Sequence, residues 1–136
     1  MNVLEVYKKI EEENIAIMPC SITGIKGVSI QSGDNQGIFL NYNEIEDSDD
    51  EFCVTVHEYG HCVTGTLYSI DTSEITKRKC EYRADRQSVI EFLPINKFKE
   101  AIKNGCQMPY EFAEYLDLPE KFVIKAYEHY KTMGLL

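Results

Sequence analysis

Residues 48–65 read SDDEFCVTVHEYGHCVTG, and the conformation of this stretch decides how the rest of the chain is read. Ser48 is a residue type that caps helices, Glu51 follows three positions later as a capping box requires, and Asp49, Asp50 and Glu51 meet the positive end of a helix dipole. The stretch is therefore expected to be a helix running to about Gly65, where glycine ends it. On such a helix His57 and His61, four residues apart, stand one above the other, so both imidazoles reach a single ion. Zinc favours neutral nitrogen donors, and a catalytic zinc takes three protein ligands while keeping a fourth position open. Glu58, about 100° round the helix from His57, falls beside that open position, where a general base belongs.

The third ligand has to come from outside this turn. Glu81-Tyr82-Arg83-Ala84-Asp85 supplies it, with 19 residues separating Glu81 from His61. These residues fall in a second long helical segment, opened near Asp71 and Glu74 and closed at Leu93 by Pro94. Glu81 and Asp85 share one face of it. The expected assignment is Glu81 on the metal and Asp85 behind it, accepting a hydrogen bond from the free ring nitrogen of a ligand histidine and fixing its tautomer. Asp85 as the ligand itself is the rival assignment. Ala84 lets the two helices approach closely. Cys62 adjoins His61, but helical geometry turns it away from the histidine face, and His129, near the end of a terminal helix, reads as a packing or solvated residue. Tyr59, Tyr68 and Tyr82 are equivalent candidates for hydrogen bonding a developing oxyanion.

HExxH followed on another helix by a glutamate ligand and then a supporting acid resembles the gluzincin metallopeptidases, the thermolysin-like group. More narrowly, a short helix and sheet, HEYGH at 57–61 and EYRADRQSVIEFLP at 81–94 look like the ImmA/IrrE family of small metallopeptidases. The resemblance implies peptide-bond hydrolysis with one Zn(2+) per chain on His57, His61 and Glu81, Glu58 as the base and Asp85 in support. It also implies a specific protein substrate, a helix-turn-helix repressor of a phage or mobile element. Where that family continues after ExxA(N/D) with an alanine- and leucine-rich stretch, this chain carries Arg86, Gln87 and Glu91.

Upstream of residue 48, Val3, Val6, Tyr7 and Ile10 recur at three and four, which predicts a helix over 3–13. Short β-rich runs follow at Ile15 to Met18, Ile25 to Ile30 and Gly37 to Tyr42, the last two separated by a polar turn from Gln31 to Gln36; together they predict a small antiparallel sheet. The strand from Gly37 to Tyr42 is expected to be an exposed edge on which an extended substrate pairs. Helices are expected at about 95–103, 109–116 and 119–131. The last two have the length and short turn of a helix-turn-helix, but Glu120, Lys121, Lys125, Glu128 and Lys131 without an arginine favour packing or protein docking over DNA reading.

With 136 residues, 43% hydrophobic and 27% charged, the chain fits one globular domain: residues 1–94 hold the sheet and zinc-site core, and residues 95–136 form a helical, helix-turn-helix-like subregion. The net charge of −9 argues against nucleic acid, whose binding needs a basic face. No apolar run reaches membrane-spanning length, the N-terminus mixes charge into every turn, and five cysteines without a CxxC pair fit reduced thiols, so the expected location is the cytoplasm. The expectation is an α+β, minimal zincin-like fold, with a small antiparallel sheet packed on the HExxH helix and a helical C-terminus, acting as a zinc-dependent endopeptidase on a protein target. The alternative from another class is a non-enzymatic regulatory module that binds a partner protein or DNA through its C-terminal helices.

Overall fold

Asn2 caps the first helix, α1 (Val3–Glu12), accepting from the Glu5 amide at 3.0 Å, and Val6 and Ile10 are the residues it buries. Asn14, at a φ of 60°, turns the chain into β1 (Ile15–Pro19). A hairpin of β2 (Gly27–Ser32) and β3 (Asn35–Leu40) follows. Its turn is tighter than the sequence suggests, because Ser32 already pairs with Asn35, leaving two residues with Gly33 at a φ of 61° in the first central position of a type II′ turn. The computed structural model describes all residues from 1 to 136.

The sheet order is β1-β3-β2, with β3 parallel to β1 and antiparallel to β2. The sheet is thus mixed, where a wholly antiparallel one was expected. The connector from Cys20 to Lys26 is long enough to carry the chain over the end of β3, across two strand spacings of about 10 Å in all, so that β3 inserts between its predecessors. It takes the centre because its Ile38 and Leu40 are fully buried. The Gly37 to Tyr42 segment is accordingly no exposed edge; the free edges belong to β1 and β2.

The helix carrying the two histidines is α2 (Ser48–Thr64). Its cap is Asp47, one residue earlier than expected: Asp47 accepts from the Asp50 amide at 2.8 Å, and Asp50 reaches back to the Glu46 amide at 3.0 Å. The three-residue spacing of a capping box is kept, shifted so that Asp50 also meets Lys26 and Lys121. Gly65, at a φ of 65°, ends the helix where expected. The second long helix, α3 (Glu74–Phe92), is capped by Ser73, not Asp71, because Ser69 to Thr72 close into a turn of their own first. Then come α4 (Ile95–Lys103), α5 (Pro109–Leu116) and α6 (Glu120–Thr132).

Six helices and one small sheet make the architecture α+β, with a helical C-terminus. A contiguous cluster of 20 buried side chains draws on every helix and on β1 and β3, with Phe52 set edge-on to both Phe92 and Phe122. Helices α2 and α3 cross at Gly60 and Ala84. A Cβ on Gly60 would stand 2.2 Å from the Ala84 carbonyl oxygen, and Ala84 is itself wholly buried, so the two backbones touch there. This contact sets the distance between the histidines and the acids of α3. No helix is long and apolar enough to cross a membrane.

Candidate metal centre

One turn of α2 and one turn of α3 bring three side-chain atoms together. His57 Nε2 lies 2.7 Å from Glu81 Oε2, His61 Nε2 lies 3.2 Å from the same oxygen, and the two Nε2 atoms are 3.1 Å apart. The outer ring nitrogens are already engaged. His57 Nδ1 is 2.7 Å from Asp85 Oδ1, and His61 Nδ1 is 3.1 Å from the Thr66 carbonyl oxygen and 3.0 Å from its hydroxyl. A carboxylate and a carbonyl only accept, so both Nδ1 atoms donate, and neutral rings then turn lone pairs inward. Two such lone pairs and a carboxylate oxygen in mutual contact lack a donor between them and are the donor set a divalent cation satisfies. With metal–donor distances of about 2.0–2.1 Å, a tetrahedral site has edges of about 3.3 Å, near the triangle seen here. The residues therefore fit zinc, and the three are the group in the molecule able to hold a metal ion.

The surrounding acids make His57 more basic, a stronger donor to a cation and, without one, a ring that more readily takes a second proton toward Glu81. Burial lowers the basicity of His57, but its bond to Asp85 and the charges of Asp85, Glu58 and Glu81 together outweigh burial and raise it. Burial likewise pushes Asp85 up, yet His57 and the Lys125 ammonium, 3.0 Å from the same carboxylate oxygen, bring it down to about 2. Glu81 is held below its ordinary value against burial by the Tyr68 hydroxyl, which donates to Oε1 at 2.6 Å, and by both histidines. That bond, followed by burial, pushes Tyr68 up to about 12, so it stays a neutral donor.

Glu58 is buried on the sheet side of α2, where the one hydroxyl proton of Ser29 Oγ from β2 is shared between its Oε1 at 2.8 Å and its backbone carbonyl oxygen at 2.9 Å. Gly27 permits the strand to lie this close: a Cβ there would meet Val54 at 2.7 Å and the Glu58 side chain at 3.2 Å. A cleft of about 190 Å³ opens between β2 and the loop after α2, lined by Val28, Ser29, Glu58, His61, Tyr68 and Glu81. The free edge of β2, not β3, borders it.

His57, Glu58, His61, Glu81 and Asp85 are thus brought together as the sequence suggests. Of the three tyrosines, Tyr68 alone faces the site; Tyr59 is buried toward Glu91, and Tyr82 lies against His129 of α6, the ring centroids 4.9 Å apart and the planes tilted by 42°. Cys62 is buried, its thiol pushed up by burial. Sequence reading missed Ser29, Thr66 and Lys125. Thr66 has a faint signal, standing just past the Gly65 cap; Ser29 and Lys125 arrive from β2 and α6 and have none. Comparison with protein-family models, curated proteins and solved structures gives no match.

Proposed function

We propose that this chain is a zinc-dependent endopeptidase of the gluzincin kind, similar to the ImmA/IrrE family, acting in the cytoplasm on one protein target. The observation that carries the reading is the meeting of three inward-facing acceptors, His57 Nε2, His61 Nε2 and Glu81 Oε2, beside a carboxylate that binds none of them. A zinc ion held there supplies Lewis acidity and makes water nucleophilic near neutral pH.

The chain's own residues account for the rest. Asp85 and Thr66 fix the ring tautomers, so no imidazole has to reorganise during turnover. Ser29 holds one oxygen of Glu58 and leaves the other to take the proton of the attacking water and return it to the departing amine. Tyr68 keeps Glu81 aimed at the histidines and stands at the cleft wall, where its one hydroxyl proton serves a developing oxyanion only by leaving Glu81 Oε1. An extended substrate adds to the free edge of β2 by main-chain hydrogen bonds, which sets its carbonyl over Glu58. The target suggested by the resemblance is a helix-turn-helix repressor of a phage or mobile element.

The test begins with metal analysis of protein purified without chelator, where about one zinc per chain is expected. Co-expression with a helix-turn-helix repressor encoded beside it then gives the two fragments of a single cut with the unaltered chain and none with Glu58→Gln, which keeps its zinc. Equal cleavage by Glu58→Gln, or a protein that takes up no zinc, overturns the reading.

A further inference from the structure

The chain has three arginines, Arg78, Arg83 and Arg86, and all lie within nine residues of α3. Each is exposed, and neither they nor the neighbouring Lys79 form an ion pair; Lys8, Lys97, Lys99, Lys103 and Lys131 are also unpaired, but only the α3 cations share one groove with exposed Ile75 and Tyr82. Lys79 and Arg83 are four apart and Arg83 and Arg86 three apart, spacings at which like charges repel on a helix surface. The acids that lie between them in sequence, Glu81 and Asp85, are turned to the metal centre. Ile75, 61% exposed, and Tyr82, 41% exposed, are interleaved with the cations, and the Arg86 guanidinium sits 5.9 Å from the Tyr82 ring. Together these side chains line a shallow groove of about 700 Å³.

Four uncompensated cations on a chain of net charge −9 call for an anionic partner from outside. The apolar members decide which kind. A phosphate backbone gains nothing from Ile75, and the acidic remainder of the surface repels a long duplex; an acidic protein segment with apolar side chains satisfies both halves of the stripe. We propose that the protein substrate docks outside the cleft, laying an acidic segment with interleaved apolar residues along Ile75, Arg78, Lys79, Tyr82, Arg83 and Arg86. This rests on the peptidase reading for its purpose, but the docking is measured without cleavage. Because α3 carries Glu81 and Asp85 on its other face, a segment held here lies beside the metal centre without entering it.

The probe is a fluorescein-labelled peptide of about 16 residues, glutamate and leucine in helical spacing, titrated by anisotropy against the full-length, zinc-loaded chain carrying Glu58→Gln. Binding is expected to weaken about tenfold or more in the Arg78→Gln, Arg83→Gln, Arg86→Gln triple variant and on raising salt from about 50 to about 300 mM. Ile75→Ser, which leaves every charge in place, should weaken it about threefold. A matched triple on α4, Lys97→Gln, Lys99→Gln, Lys103→Gln, should bind as the parent does. The proposal is overturned by no binding to the parent, by equal binding to both triples, by equal binding of the peptide with glutamine for glutamate, or by tighter binding of a duplex DNA of about 20 base pairs. Any of these with zinc uptake and Glu58-dependent cleavage intact removes the docking stripe alone; loss of those two removes the hydrolase and leaves the titration to be read on its own.

Discussion

Asp85 does two things with one oxygen, accepting from His57 Nδ1 at 2.7 Å and from Lys125 Nζ at 3.0 Å. It orients His57 of α2 and anchors a helix from the other end of the chain. Asparagine in its place keeps an acceptor but removes the charge and frees the amide to turn round, so Asp85→Asn is expected to weaken zinc binding about 10- to 100-fold in competition with a chromophoric chelator. Glu58 depends on its neighbour in a different way. Ser29→Ala removes the one hydroxyl donating to its carboxylate while leaving His57, His61 and Glu81, the group able to hold a metal ion, untouched. The expected result is full zinc content with turnover of the cleaved substrate reduced about tenfold, a split that separates holding the base from holding the metal. Zinc lost in parallel with turnover would mean that Ser29 acts on the fold instead.

At the level of elements, the centre depends on the α2 and α3 backbones touching. Gly60→Ala would drive a methyl to within 2.2 Å of the Ala84 carbonyl oxygen, a backbone atom that no rotamer change can move. The helices must part, and Glu81 moves off the histidines with them. We expect a loss of about 3 kcal/mol in denaturant unfolding together with loss of zinc; unchanged stability would show the crossing to be loose. That glycine is visible inside HEYGH, but its reason is not, since the partner is 24 residues on. The same divide runs through the whole reading. Helices α4 and α5 have the expected bounds because Pro94, Asn104-Gly105 and Pro109 punctuate them locally, and the meeting of His57 with His61 was legible because four-residue spacing on a helix is a local geometric fact. The strand order was not, because it turns on which strand buries most apolar surface, and neither Ser29 nor Lys125 leaves a mark near the residues it serves.

Across the whole molecule, Asp50 joins what is far apart in sequence. It is 5% exposed, accepts from the Glu46 amide, and pairs with Lys26 ahead of β2 at 2.9 Å and with Lys121 of α6 at 3.2 Å. Burial alone would raise its carboxyl above the ordinary 3.8, but the amide and the two lysines outweigh it and hold it down to about 2. Since the folded value lies below the unfolded one, the stabilisation is present in full above pH 3.8 and drains away as pH falls toward 2. Both lysines are partly solvated, so about 1–2 kcal/mol is a fair scale for it. Asp50→Asn should therefore lose about that much in urea unfolding at neutral pH, and the gap from the unaltered chain should narrow steadily as the pH is lowered through 3.8. Asp85 titrates over the same range and is unchanged by the substitution, so the variant keeps part of its own acid limb, and only the difference between the two curves reports on Asp50. A gap of constant height across that range would mean that Asp50 contributes as a hydrogen-bonding cap and not as a charge.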